Sequence, residues 1–245
     1  MVFETDFEYT LETELADLNE DNYLKPHGYQ KLFVALGDMH LNNININVDT
    51  TMKYNLAWAF ISISMEVVKP VEGIMKLKGK TWHSQRRGPF FRREYIFTDE
   101  EGQVYFKGAS FSVLLDLEKR TIFREKEAPF YIYPPIEELL IDAKANSRIK
   151  KDFEEVQRRI AYNSYIDCLG HVNNCRYTEF AYDTFSQEEV RKLKDLKRME
   201  IYFRSELRKG DEFSILKRVE DDNIFIRGDN HNKADTSFEI IFQFK

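Results

Sequence analysis

The feature that most constrains this 245-residue chain is a long-period repeat in which one helical stretch precedes a run of strands, written twice. The first helical stretch is Gly28 to Asn42, GYQKLFVALGDMHLN, where Leu32, Leu36 and Met39 recur at helical spacing and Pro26 and His27 mark its start. The second is Val172 to Ser186, VNNCRYTEFAYDTFS, whose Val172, Cys175 and Phe180 share a broad apolar face with nearby aromatics. Segments rich in alternating aromatic and β-branched residues surround them. They run from Leu56 to Val68, Gly73 to Ser84, Phe90 to Thr98, Val104 to Asp116, Met199 to Leu207, Glu212 to Glu220, Asn223 to Asp229 and Thr236 to Phe244. Turn signals punctuate these segments: DEEG ending at Gly102, RKGD ending at Asp211 and EDDN ending at Asn223. The first copy spans residues 1–133 and the second 155–245, each opening with a strand and a loop. Pro134 and Pro135 stop the last strand of the first copy, and a polar, partly helical linker is expected over 134–154. A sheet wrapped around one helix is the simplest way to bury such a helix, so the pattern predicts an α+β fold of two units.

A chain of this length can bury a full core without disulfides or metals. Hydrophobic residues make up 42% and charged residues 32%, the balance of a globular protein. No apolar run approaches the roughly 18 residues needed to cross a bilayer. The first 21 residues carry eight acidic side chains and no basic one, the opposite of a signal peptide. With only Cys168 and Cys175, both read as thiols, a cytoplasmic location is expected. The net charge of −6 argues against non-specific nucleic-acid binding. Yet Lys76 to Arg93, KLKGKTWHSQRRGPFFRR, carries seven basic residues and no acidic one. Such a run reads either as a docking patch for an acidic partner or as the solvated faces of strands.

The stretch most informative about chemistry is Tyr165 to Asp183, YIDCLGHVNNCRYTEFAYD, which puts Asp167, Gly170, His171, Asn173 and Asn174 where a strand meets a helix. A helix N-terminus offers unpaired N–H groups and a positive dipole end to a developing oxyanion, and a polar set beside it can position a water. The plain structural reading makes Asp167 a helix cap, the asparagines turn formers and His171 a satisfied core histidine. Cys168, His171 and Cys175 also show a zinc-like spacing without an evident fourth ligand, and Cys168 beside His171 has the makings of a nucleophile.

The run GHVNN, the following Tyr177 and an acidic residue later in the helix resemble the signature of hot-dog thioesterases, in particular the acyl-acyl carrier protein thioesterases of plants and bacteria. The resemblance extends to Trp58 opening a strand through Met65 to Lys69 and Pro70, to Thr81 and Trp82, to FRREYIFTDEEG from Phe91, and to GASFSVLLDLEKR from Gly108. It covers nearly the whole chain. It implies two tandem hot-dog folds, each an antiparallel sheet wrapped around a long central helix, the first binding the acyl chain and the second catalytic. The implied activity is hydrolysis of fatty-acyl thioesters by an activated water, without metal or organic cofactor. The implied partner is an acyl carrier protein, with no nucleic acid and no membrane insertion, in a monomer or homodimer.

Carried over residue by residue, the family's pattern of Asp, Asn and His at alternate positions falls on Asp167, Leu169 and His171, so that Leu169 is a departure. The family's later Glu falls on Glu206, within IYFRSE. The resemblance implies Glu206 as general base, His171 holding the water or the carbonyl, and Asp167 fixing neighbouring groups. Asn173, Asn174, Leu169 and Trp58 are the substrate-binding candidates, and Arg86 and Arg87 the carrier-docking ones. Leu32, Phe33, Leu36, Met39, Trp58 and Phe60 either line an acyl tunnel or form ordinary core. Asp38, His40 and His27 belong to the first helical stretch, where the second copy has its polar set. Tyr23 stands four residues before His27 where the second copy has an acid, so that pseudo-site is expected to be inactive.

A carboxylate such as Glu206 in an apolar cleft is expected to have its pKa raised toward neutrality, where a general base works best. Its neighbours Arg204 and Arg208 equally suit a surface ion pair within an alternating strand. An acyl-CoA thioesterase and a non-catalytic acyl-binding hot dog remain alternatives, the latter because of Leu169. A hot-dog dehydratase agrees less well with the whole-chain match.

Overall fold

A computed structural model describes residues 4–245, Thr5 by its backbone alone. The chain divides into two units. Unit 1 takes in the chain through Glu12, Leu32–Lys69 and Met75–Ala145; unit 2 takes in Thr13–Lys31, Pro70–Ile74 and Asn146–Lys245.

In unit 1, strands β1 (Tyr9–Glu12), β2 (Leu56–Val67), β3 (Lys76–Arg87), β4 (Phe90–Thr98) and β5 (Val104–Asp116) form an antiparallel sheet in the order β1-β3-β4-β5-β2, with the short β6 (Thr121–Ile122) on β5. Helix α1 (Pro26–Asn43) begins at a proline, whose fixed φ and missing N–H suit a first helical position. From Leu32 onward it lays Phe33 and Leu36 on this sheet, and both, like Leu32, are buried. The Phe33 ring lies 4.6 Å from Tyr95 and 5.5 Å from Phe97. That approach needs Gly108, because a Cβ there would stand 2.6 Å from Phe33 Cζ and 2.3 Å from the Ser64 carbonyl oxygen. The short α2 (Val48–Met52) leads into β2.

In unit 2, β7 (Glu154–Ile160), β8 (Leu196–Phe203), β9 (Glu212–Glu220), β10 (Asn223–Asn230) and β11 (Asp235–Phe244) form an antiparallel sheet in the order β7-β9-β10-β11-β8. Its helices are α3 (Asn174–Tyr182) and α4 (Gln187–Arg191). Tyr177 of α3 stacks on Phe238 of β11 at 4.7 Å, and Phe180 packs on Phe213 of β9 at 5.2 Å.

Three expectations are corrected. The second helix is not a long one from Val172 to Ser186: Asn173 caps α3 at its start, and Ser186 and Glu189 form a reciprocal capping box that restarts the chain as α4. The linker contains no helix. Beyond Pro134 and Pro135 it runs extended, its backbone satisfied by unit 1 side chains: Trp82 Nε1 donates to the Glu138 carbonyl at 3.1 Å, Arg92 to the Ile141 carbonyl at 2.7 Å and Ser62 Oγ to the Lys144 carbonyl at 2.8 Å. Strand β8 stops at Phe203 rather than Leu207, because the N–H groups of Arg204 and Ser205 both turn to the Ser237 carbonyl. Among the described residues no helix is long and apolar enough to cross a membrane.

Candidate active site

Beyond β7 the chain turns through Asn163–Tyr165 to Ile166, which bridges back to Val172. The five residues between them close on themselves. Gly170 N–H donates to the Asp167 carbonyl at 3.0 Å, Asp167 N–H to the His171 carbonyl at 3.0 Å, and Leu169 N–H to Asp167 Oδ1 at 2.9 Å. Gly170 has φ +83°, and nothing lies within 4 Å of where its Cβ would be, so backbone conformation and not space requires glycine here. Two bonds tie this turn to the segment after β8. Val172 N–H donates to the Leu207 carbonyl at 2.8 Å, and Leu207 N–H to the Tyr177 hydroxyl oxygen at 3.2 Å. Glu206, next to Leu207, is thereby brought against the turn.

His171 stands between two carboxylates. Its Nδ1 lies 3.6 Å from Asp167 Oδ1 and its Nε2 3.9 Å from Glu206 Oε2. Both distances exceed a direct hydrogen bond. The three side chains keep 26%, 21% and 41% exposure for His171, Asp167 and Glu206, so water reaches them. Burial pushes the Glu206 carboxyl up, but the hydrogen bond and charge of Arg208, with the charges of His171 and Lys233, outweigh it and hold the group below the usual carboxylate value. The expected rise toward neutrality is overturned by that guanidinium, whose Nε donates to Glu206 Oε1 at 3.0 Å. Burial pushes the Tyr177 hydroxyl up to about 12, so it stays protonated while it accepts from Leu207.

Asn173 accepts from Cys175 N–H at 3.0 Å and is the cap of α3. The Asn174 carbonyl accepts from Gln30 Nε2 at 3.1 Å, and Gln30 Oε1 takes the Thr178 hydroxyl. Gln30 is wholly buried in the first turns of α1. It is a positioning residue that the sequence reading missed, and its only signal was a polar side chain beside the core positions Tyr29 and Leu32. Cys168 is exposed and Cys175 half-buried, and neither is in a disulfide.

Two family models match the chain in tandem: the acyl-ACP thioesterase N-terminal domain over residues 4–129 and the acyl-ACP thioesterase C-terminal domain over residues 148–243. The chain belongs to the acyl-ACP thioesterase family. As a member it is a thioester hydrolase acting on fatty-acyl thioesters. Its structure is similar to that of an acyl-ACP thioesterase from Bacteroides thetaiotaomicron, with 19% identity, a TM-score of 0.82 and all of both chains covered. It is also similar to the 12:0-ACP thioesterase from Umbellularia californica, with 13% identity, a TM-score of 0.82, 98% of this chain and 96% of the other covered. These likenesses show the fold, a double hot dog of the α+β class. No curated protein matches the sequence.

Against the family's pattern, Leu169 lies at the tip of the turn with 42% exposure and offers only its N–H, to Asp167. In unit 1 of this thioesterase, Trp58 and Phe60 line a cavity with Leu41, Ile46, Phe91 and Ile132 that has about 60 Å³ open to the centres of water-sized spheres. Leu32, Phe33 and Leu36 are core, and Met39 is exposed. His27 does have an acidic neighbour, ten residues back rather than four: its Nε2 lies 3.5 Å from Asp17 Oδ1, in a nearly closed environment where Asp17 also holds Lys31 at 2.6 Å.

The basic run is less free than it reads. Lys78 and Lys80 face Glu8 at 3.5 and 3.8 Å, Arg92 is buried against Glu94 at 2.6 Å, and Arg93 faces Glu4 at 3.9 Å. Arg86 donates to the carbonyls of Lys126 at 2.8 Å and Glu125 at 2.9 Å and lies over the Phe91 ring. Arg87 is exposed and has no ion pair among the described residues.

Proposed function

We propose that the attacking water sits within reach of His171 Nε2 and Glu206 Oε2, and that the imidazole takes its proton. The observation that carries this reading is the placement of His171 between two carboxylates beside the start of α3. Glu206, kept ionised by Arg208, is a weak base. Imidazole is the side chain whose ordinary pKa suits proton transfer near neutrality. This exchanges the roles that the resemblance implies for Glu206 and His171. The two carboxylates then stabilise the imidazolium as the water oxygen bonds to the thioester carbon, and the Asn174 N–H at the start of α3 faces the oxyanion. Collapse of the tetrahedral intermediate breaks the carbon–sulfur bond, and the imidazolium returns its proton to the departing thiolate.

Unit 1 receives the acyl chain and an acyl carrier protein presents it. The apolar residues that line the Trp58 cavity support the first assignment and the family supports the second. Thiol release from a panel of acyl-ACPs, each beside its acyl-CoA counterpart, tests the reading. Hydrolysis lost in His171→Ala, with acyl-ACP preferred over acyl-CoA, is the expected result. Acyl binding with no thiol release from any substrate would show a binding protein instead.

A further inference from the structure

The lining of the cavity in unit 1 is mixed. Besides Trp58, Phe60 and Phe91 it includes Glu4, Asp38, Arg93, Tyr95 and Ser110. Most of these polar groups are already engaged. Glu4 accepts from the His83 N–H and faces Arg93 at 3.9 Å; Arg93 also reaches Thr81 Oγ1 at 3.5 Å; and the Tyr95 and Ser110 hydroxyls bond each other at 3.2 Å. Asp38 differs. Among the described residues its carboxylate has neither hydrogen bond nor ion pair; the residue is exposed, yet the protein around it takes away enough water to raise its pKa above the usual carboxylate value.

A saturated hydrocarbon packed against Asp38 would take away part of its remaining water and return nothing, which is the costly way to treat a polar group. A chain ending in a carboxylate would meet Asp38 and Glu4 with like charge. One ending in an ammonium would lose its hydration beside Arg93. A neutral hydroxyl lets the rest of the chain lie on the aromatic wall while it donates to Asp38. We infer that the preferred acyl group carries a hydroxyl on the part of its chain lodged in this cavity, and that the Asp38 carboxylate accepts its hydrogen bond. The inference rests on the reading that unit 1 receives the acyl chain.

The test compares acyl-ACPs of one chain length, unsubstituted or bearing a hydroxyl at successive positions, by kcat/KM for thiol release. One hydroxylated isomer is expected to exceed the unsubstituted chain on the order of 10-fold or more, because a site that holds a hydroxyl discriminates against its absence. Asp38→Leu should bring that ratio to about one and raise the rate on the unsubstituted chain. Asp38→Asn, which keeps an acceptor oxygen, should retain part of the preference, and it serves if the leucine variant does not fold. No preference in the wild type, or a preference that survives Asp38→Leu, overturns the inference. If unsubstituted chains are hydrolysed without discrimination, only this inference fails; if neither series is hydrolysed, the thioesterase reading fails with it.

Discussion

His171 Nε2 faces Glu206 Oε2 across 3.9 Å, while the other oxygen of that carboxylate takes the Arg208 Nε–H at 3.0 Å. The guanidinium therefore sets the charge state of a group that faces the histidine. Removing it in Arg208→Met should let burial raise the Glu206 pKa, so that Glu206 protonates at a higher pH and the acid limb of kcat/KM moves up. Arg208 is half exposed, and its loss should change the melting temperature little. An acid limb that stays where it was would show that the charge on Glu206 is not used.

His171→Ala and Asp167→Ala should each lower kcat/KM on the order of 100-fold or more with secondary structure unchanged. Asp167 also fixes its turn through Leu169 N–H, so Asp167→Asn, which keeps an acceptor there, separates its two roles. Retained turn geometry with lost activity would assign it to the imidazolium. If both alanine variants lost only a few-fold, the site lies elsewhere.

Leu169→Asn should restore the amide that the family pattern carries and raise turnover. Leu169 is exposed, so stability should move by less than about 0.5 kcal/mol. A fall in activity at unchanged melting temperature would show a site rebuilt around an apolar side chain.

Stability should fall with acidification. Burial lowers the pKa of His27, His40 and His83, in each case against the pull of nearby acids. A histidine whose folded pKa is depressed takes up its proton more readily when unfolded, so stability rises with pH and is lost as pH drops through the ordinary imidazole value of about 6.5. Glu4, held below the carboxylate norm by His40 and Arg93 against its own desolvation, adds a loss in the same direction at lower pH. Melting temperatures between about pH 7 and pH 5 check this, and a flat profile would contradict it.

Strands β4, β5 and β9 occupy the residues that alternation assigns them, because each alternating run ends at a turn. Strand β7, EEVQRRI, has no apolar face to read, and only pairing with β9 makes it a strand. Glu206 reads as a strand residue because the alternation of IYFRSEL continues through Leu207. What ends the strand is a single carbonyl, that of the distant Ser237, which captures the N–H groups of Arg204 and Ser205. The loop sequence did place Asp167 beside His171, since four residues in a tight turn leave little choice. The ion pair of Arg208 with Glu206 is one that their spacing offers, although Arg204 goes to Glu239 instead; that Gln30 would hold the carbonyl of Asn174 depends on a contact no spacing reports.

Acyl carrier proteins are acidic, and this chain's net charge of −6 repels them unless a local basic surface offsets it. Of the two arginines singled out for this role, Arg86 holds the carbonyls of Glu125 and Lys126, whereas Arg87 is exposed and has no ion pair among the described residues. Arg87→Glu should therefore raise KM for acyl-ACP with kcat nearly unchanged, and added salt should shrink the difference, since exposed charges are screened beyond about 8 Å at physiological ionic strength. Hydrolysis of an acyl-pantetheine, which lacks the carrier, should be unaffected. Arg86→Glu should instead free the 125–126 loop and lower stability, with loss on both substrates. A competing surface lies in unit 2, where Lys150, Lys151, Arg218 and Arg227 line a groove. Lys151 and Arg218 there are paired with Glu220 and Arg227 with Glu239, which leaves Lys150 as the charge to reverse. If Arg87→Glu leaves KM unchanged while Lys150→Glu raises it for acyl-ACP alone, the carrier docks at that groove and the basic strand run serves the fold.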